Sequence, residues 1–230
     1  MSYFWLEPAS LYFPPPETAD RFGMLALGGD LSTERLLTAY TQGIFPWYNP
    51  GEPILWWHPD PRFVLFPHKL KVHKSMRPYF NRQHFRVTYD HDFPAVMTAC
   101  ATADRHGQQG TWITEEMKHA YIGLHQLGFA HSVEVWEDDI LVGGLYGIAL
   151  GKVFFGESMF ANVSNASKYG FITLVKDLEA AGFQLIDCQQ ATHHLRSLGA
   201  ESIPRTQFIQ LLENLETSRW HAAHWKNGII

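Results

Sequence analysis

The sequence predicts an α+β fold: a small N-terminal α+β domain followed by a larger domain built on a mixed sheet. Three observations predict it. From Phe85 onward the elements read strand, helix, helix, three strands, helix, strand and helix, an order that suits a mixed sheet with helices against it. The first sixty residues differ in kind, being crowded with Pro, Gly and Trp around one helix signal. "PDPR", Pro59 to Arg62, separates the two compositions, so the domains are expected at 1–60 and 61–230.

Each element has a local reason. Asp30 or Ser32 can cap the first helix, Leu36, Leu37 and Tyr40 give its apolar face, and Gly43 ends it. "FRVTYD" has strand composition. "FPAVMTACATA" suits a helix that tolerates Pro94 in its first turn. "TEEMKHAYIGLHQLG" is a helix capped by Thr114, with Glu115 and Glu116 at its positive end and Gly128 as its stop. "HSVEVWEDDILVGGLYGIALGKVFFGESMF" divides into three strands at Glu137–Asp139 and at Ala149–Lys152. "NASKYGFITLVKDLEAAG" is a helix, "FQLIDCQ" a strand, "THHLRSLGA" a short helix or turn, and "PRTQFIQLLENLE" the last helix.

Composition narrows the function classes. Hydrophobic residues make up 46% of 230, which supplies a packed core and excludes global disorder. Cys100 and Cys188 form neither a disulfide framework nor a metal knuckle. The apolar runs are far short of the ~20 residues that span a bilayer, and the start lacks a signal-peptide pattern. A cytoplasmic protein without membrane contact is the expectation. The net charge of -5 argues against a nonspecific polyanion binder. Yet Lys69, Lys71, Lys74, Arg77, Arg82 and Arg86 follow His68 with no Asp or Glu among them, either a solvated face or a phosphate-docking patch.

Known chemical motifs are mostly missing. The sequence holds no GxxxxGK[ST], no HExxH and no GxSxG around Ser158. Gly28-Gly29 and Gly143-Gly144 read as turns or close backbone approaches rather than a dinucleotide fingerprint. His193 and His194 are adjacent and point to different faces of a helix, and no metal site is expected. What remains are polar residues expected at strand ends: Glu157 and Ser158 in one, Asp187 and Gln189 in another. The two strands flank one helix and should lie close, giving a pocket with oriented polar walls. Helix caps or surface acids are the alternative for Glu157 and Asp187.

Several stretches in order resemble the leucyl/phenylalanyl-tRNA–protein transferase family: "LALGGDLS", "LLTAYTQGIFPWY", "PILWWHPDPR", "GTWIT", "AYIGLHQLGFAHSVEVW", "LVGGLYG", "FFGESMF", "NASK" and "LIDCQ" with "HLRSLGA". They run from Leu25 to Ala200. The resemblance implies a cytoplasmic bacterial aminoacyltransferase whose C-terminal domain is similar to GNAT acetyltransferases. It would move Leu or Phe, less readily Met, from aminoacyl-tRNA to proteins with N-terminal Arg or Lys. The product would then pass to a protease adaptor system of the N-end rule.

The resemblance also implies roles at matching positions. Asp187 and Gln189 would handle the attacking α-amino group, with Glu157 as a polar neighbour and Ser158 beside it. Trp47 and Trp112 would lie near the terminal adenosine. Leu145, Phe154, Met159, Phe171 and Ile186 would line the apolar side-chain pocket. Lys74, Arg77 and Arg82 would contact tRNA. Phe155 stands where Cys is common in the family, and Leu145 where Met can occur; both are expected to keep the pocket apolar. The acetyl-CoA phosphate loop (Q/R)xxGx(G/A) is missing, so no cofactor is implied.

The chemistry suits these residues. An aminoacyl ester is already activated, so neither ATP nor an acylated Ser or Cys is required. An Asp titrates near ~3.9 and an α-amine near ~8, so Asp187 is a poor remover of a full proton. It is expected, with Gln189, to position the neutral amine and stabilise the charge that grows on nitrogen. Competing readings are an acetyl-CoA-dependent GNAT enzyme, a noncatalytic tRNA- or peptide-binding module, and a leucyl transferase acting on N-terminal Asp or Glu.

Overall fold

A computed structural model describes residues 3–103 and 111–215. Gly110 of "GTWIT", Glu216 of the last predicted helix and the C-terminal end of the expected 61–230 domain lie outside the described residues.

Two sheets organise the chain. The smaller has the order β1 (Phe4–Leu6), β2 (Met24–Gly28), β4 (Leu55–Trp57), β3 (Phe45–Pro46), with β1 and β2 parallel and the other pairs antiparallel. Helix α1 (Thr33–Thr41) follows β2, and its buried side includes Leu36, Leu37 and Tyr40. Ser32 occupies its N-cap without a side-chain bond there, while Asp30 accepts from the Ser32 amide at 2.9 Å.

The larger sheet has seven strands in the order β11 (Glu201–Ile203), β5 (Arg62–Leu65), β10 (Leu185–Gln189), β9 (Val153–Ala161), β8 (Ile140–Leu150), β7 (Ala130–Glu137), β6 (Arg86–Tyr89). Its single parallel pair among the described strands is β9 with β10, so the expected α+β class with a mixed sheet is what the structure has. Strands β5 and β11 were not read from the sequence; they extend the sheet beyond β10.

The helices cover both faces. On one lie α3 (Phe93–Thr102) and α4 (Glu115–Gln126); Thr114 caps α4 as expected, accepting from Met117 N at 3.1 Å, and Asp92 caps α3 by accepting from Ala95 N at 3.0 Å. On the other lies α5 (Ala166–Ala180), the crossover between β9 and β10, backed by α2 (Arg77–Asn81). Gly143 shows why small residues recur in β8, since a Cβ there would meet the Ala166 Cβ of α5 at 2.7 Å. The short α6 (His193–Ser197) and the last helix α7 (Arg205–Asn214) complete the fold.

One hydrophobic core runs through both sheets. Leu25, Tyr40 and Trp56 from the first belong to the same buried cluster as Tyr121, Phe155 and Leu185 from the second part.

Strand β9 corrects one expectation. Glu157 does not end it; the strand continues to Ala161. The pairing with β8 jumps from Gly147–Gly156 to Tyr146–Ser158, which leaves Glu157 as the extra residue of a β-bulge. The inside-outside alternation reverses phase there. Val153 and Phe155 face the core on the α3–α4 side, and so does Phe160, while Met159 packs on the α5 side.

Candidate active site

The parallel pairing of β9 and β10 stops at Phe155–Asp187, and beyond it the strands part. A cavity of about 450 Å3 opens at these carboxyl ends, the place where α/β crevices form. All eleven expected pocket residues reach its walls. Leu145, Phe154, Met159, Phe171 and Ile186 supply an apolar end; Glu157, Ser158, Asp187 and Gln189 a polar floor; Trp47 and Trp112 the rim toward the first sheet. Phe155 does not line it. Its ring points the other way and packs 5.3 Å from that of Tyr40, because residues 154 and 155 face opposite sides of a strand. Gly156 is not a tight position, since a Cβ there would sit at an ordinary 3.5 Å from Asp187 O. The tight position is its partner Gly147, where a Cβ would lie 2.3 Å from the Phe155 carbonyl.

Asp187 is wholly buried and its carboxylate is fully engaged. Arg62 donates from Nε to Oδ1 at 2.8 Å and from Nη2 to Oδ2 at 2.6 Å. Arg62 is itself buried between the rings of Phe45 and Phe208, with 4.8 and 4.6 Å from the guanidinium carbon to their centroids, and also donates to Gly43 O. Such a forked pair is held by two charge-assisted hydrogen bonds in a site closed to water. Asp187 Oδ1 further accepts from Gln189 N at 2.9 Å, and Gln189 sits at φ +58° where β10 bulges. Asp187 therefore fixes the backbone that presents the Gln189 side chain.

Glu157 anchors a second network. It accepts from Tyr40 at 2.7 Å, from Tyr121 at 3.3 Å and from Gln189 Nε2 at 2.9 Å. Tyr40 and Tyr121 also touch each other through their hydroxyls at 2.5 Å. Two hydroxyl protons thus serve three oxygen–oxygen contacts, and a proton on Glu157 would complete the set. Burial raises the Glu157 carboxyl to about 7, the nearby Asp187 charge adds to this, and the donated hydrogen bonds oppose it. With its Nε2 committed to Glu157, Gln189 keeps its amide oxygen as an acceptor at the cavity.

Two models of known families match this sequence: leucyl/phenylalanyl-tRNA protein transferase over residues 64–213, and the N-terminal domain of the same transferase over residues 29–60. The chain belongs to the leucyl/phenylalanyl-tRNA protein transferase family. It is an aminoacyltransferase. A transferase of this family from Pseudomonas fluorescens strain Pf0-1 is 59% identical over 90% of this chain and 92% of its own. One from Nitrosospira multiformis is 55% identical over 96% of this chain and 95% of its own. Among solved structures, a GCN5-related N-acetyltransferase from Kribbella flavida aligns weakly, with a TM-score of 0.39 at 11% identity over 72% of this chain and 58% of that one.

The buried partners of the polar floor escaped the sequence reading. Tyr40 reads as part of the apolar face of α1 and Arg62 as the end of a domain boundary, and nothing in the α4 sequence singles out Tyr121. His194 also lines the cavity; burial lowers its imidazole pKa, with Lys168 and His193 adding to this. Cys188 lines it too, and burial raises its thiol well above the ordinary range, with the Asp187 charge adding to this. Lys74, Arg77 and Arg82 are not in the cavity. They are exposed on a turn and on α2, without ion pairs among the described residues. The stretch that holds them is tied to α6 by His73 Nε2 on Ser197 O at 2.8 Å and by Lys71 N to Leu198 O at 2.9 Å. No group of His, Cys, Asp and Glu suited to a metal occurs among the described residues, and no described helix is long and apolar enough to cross a membrane.

Proposed function

We propose that this enzyme transfers Leu or Phe, and less readily Met, from aminoacyl-tRNA to the α-amino group of proteins that begin with Arg or Lys. The observation that carries the reading is the single cavity in which an apolar end adjoins the Gln189–Glu157 pair. The Leu or Phe side chain occupies the end formed by Leu145, Phe154, Met159, Phe171 and Ile186. Such a pocket discriminates by size, and a methylene is worth only ~1–3 kcal/mol, which fits tolerance of several amino acids. Trp47 and Trp112 at the rim stack the terminal adenosine, at ~1–3 kcal/mol per base. Lys74, Arg77 and Arg82 hold the tRNA backbone.

The acceptor enters as the neutral amine. Its nitrogen attacks the ester carbonyl carbon, the N–C bond forms, the bond to the ribose oxygen breaks, and that oxygen takes the proton which nitrogen gives up. Gln189 Oε1 accepts a hydrogen bond from the amine and stabilises the charge growing on it. Asp187 acts through Gln189, by holding its backbone. Ionised Glu157 supplies the anion that a basic acceptor side chain requires.

The two family models and the two sheets support a division into 1–60 and 61–230. The product is then handed to a protease adaptor system in the cytoplasm, where aminoacyl-tRNA is made. The test mixes purified enzyme, without ATP, with labelled Leu-tRNA and peptides beginning with Arg or Asp. Label on the Arg peptide alone is the expected result. Label on the Asp peptide would instead assign the sister specificity.

A further inference from the structure

A transfer from tRNA to a protein needs two exits from one cavity, because both substrates are far larger than 450 Å3. The two flanks differ in chemistry. On one, α6 brings His194 and Leu195 to the wall, and behind α6 stands the basic stretch tied to it through Ser197 and Leu198. A polyanion belongs on that side.

On the other flank a second cavity of about 470 Å3 adjoins the first. The two share Phe45, Trp47, Gln189 and Gln190 as walls. Beyond these the second is bounded by Phe22, Trp57, Pro59 and Pro61, an aromatic and proline surface. Phe22 is 67% exposed, with the Arg21 guanidinium 4.6 Å above its ring. The surroundings are held in place. His58 N donates to Gly23 O at 2.7 Å, which fixes the Phe22 loop against the wall. Trp57 Nε1 donates to Trp47 O at 2.6 Å, and the two indoles lie 5.7 Å apart.

We propose that this groove is the subsite for the second residue of the acceptor protein, and that it favours an aromatic or large aliphatic side chain there. The inference rests on the acceptor reading above. A polypeptide whose amine meets Gln189 must leave past Gln189, and the cavity that shares Gln189 is this one. Rigid aromatic and proline walls bind apolar side chains without ordering costs of their own. A side chain that buries about 40 Å2 in so open a groove gains about fivefold in KM.

The experiment measures kcat/KM for a peptide series Arg-Xaa, identical beyond position two, with Xaa as Phe, Leu, Gly or Asp. Wild type should prefer Phe and Leu over Gly by about fivefold, mainly through KM. Phe22→Ala, at an exposed position, should reduce that preference to below about twofold, and Trp57→Ala should reduce it as well. Equal kcat/KM across the series would overturn the groove proposal alone. So would a preference that both substitutions leave intact. No label on any peptide of the series would remove the acceptor reading itself, and this inference with it.

Discussion

Arg62 and Asp187, 125 residues apart in sequence, form a two-bond ion pair that no solvent reaches. The pair joins the first residue of β5 to the bulge that carries Gln189. Both carboxylate oxygens of Asp187 are thus already bonded to a cation, which supports the positioning role proposed above.

Removing one partner should therefore cost more than removing both. Asp187→Ala and Arg62→Ala should each lose about 3–5 kcal/mol of stability, because a buried charge is left alone. The double variant Arg62→Met/Asp187→Leu should recover most of that in urea unfolding. It should still be slow in transfer, as Gln189 would have lost its backbone anchor. A double variant no more stable than either single would argue against the ion pair as drawn.

Glu157 sets the pH response. Its carboxyl is raised to about 7 from an ordinary 4.5, so the folded state holds a proton that the unfolded state releases across this window. Stability should then fall as pH climbs from 5 to 8, by at most about 3 kcal/mol, less in so far as the cavity admits water. Glu157→Gln should lack this slope and be the more stable protein at pH 8. Unfolding curves at both pH values decide it.

The same titration should appear in acceptor binding. Below about 7 the neutral Glu157 no longer offers an anion to a basic side chain, so KM for an Arg peptide should rise as pH falls. In Glu157→Gln the KM, counted on the neutral-amine fraction of the peptide, should be high throughout and flat. A wild-type profile without this limb would separate Glu157 from acceptor recognition.

Met159 faces the α5 side of the cavity beside Leu145 and Phe171. Met159→Phe should narrow the apolar end and lower the kcat/KM ratio of Phe-tRNA to Leu-tRNA by about tenfold or more. Parallel assays with the two charged tRNAs provide the readout.

Lys74, Arg77 and Arg82 should act uniformly on tRNA. Replacing all three with Ala should reduce the slope of log affinity against log salt by about 2 to 3, whichever amino acid is attached. An unchanged slope would return this stretch to a solvated face.

What could be seen in the sequence was local. Thr114 caps α4 through a bond to the amide three residues on, as its place before Glu115 and Glu116 suggests, and the expected helices are there. The pocket residues of "FFGESMF" and "LIDCQ" were legible because neighbouring strands and one crossover helix bring them together. The partners of the polar floor were not. Tyr40 reaches Glu157 across 117 residues and Tyr121 across 36, and each carries a hydroxyl on an otherwise apolar helix face. The bulge at Glu157 depends on register with β8, although its trace, Phe155 and Phe160 on one face, is written in the strand itself.

The common core that joins Leu25 and Trp56 to Phe155 and Leu185 has a consequence for synthesis of the chain. Residues 1–60 leave the ribosome first, yet the side chains that must cover their apolar surface come roughly a hundred residues later, which at ~5–20 residues per second is several seconds. During that interval Leu25, Leu36 and Trp56 lack their final neighbours. The nascent chain is then a natural client for a holdase, and slowing translation after residue 60 should increase aggregation rather than relieve it.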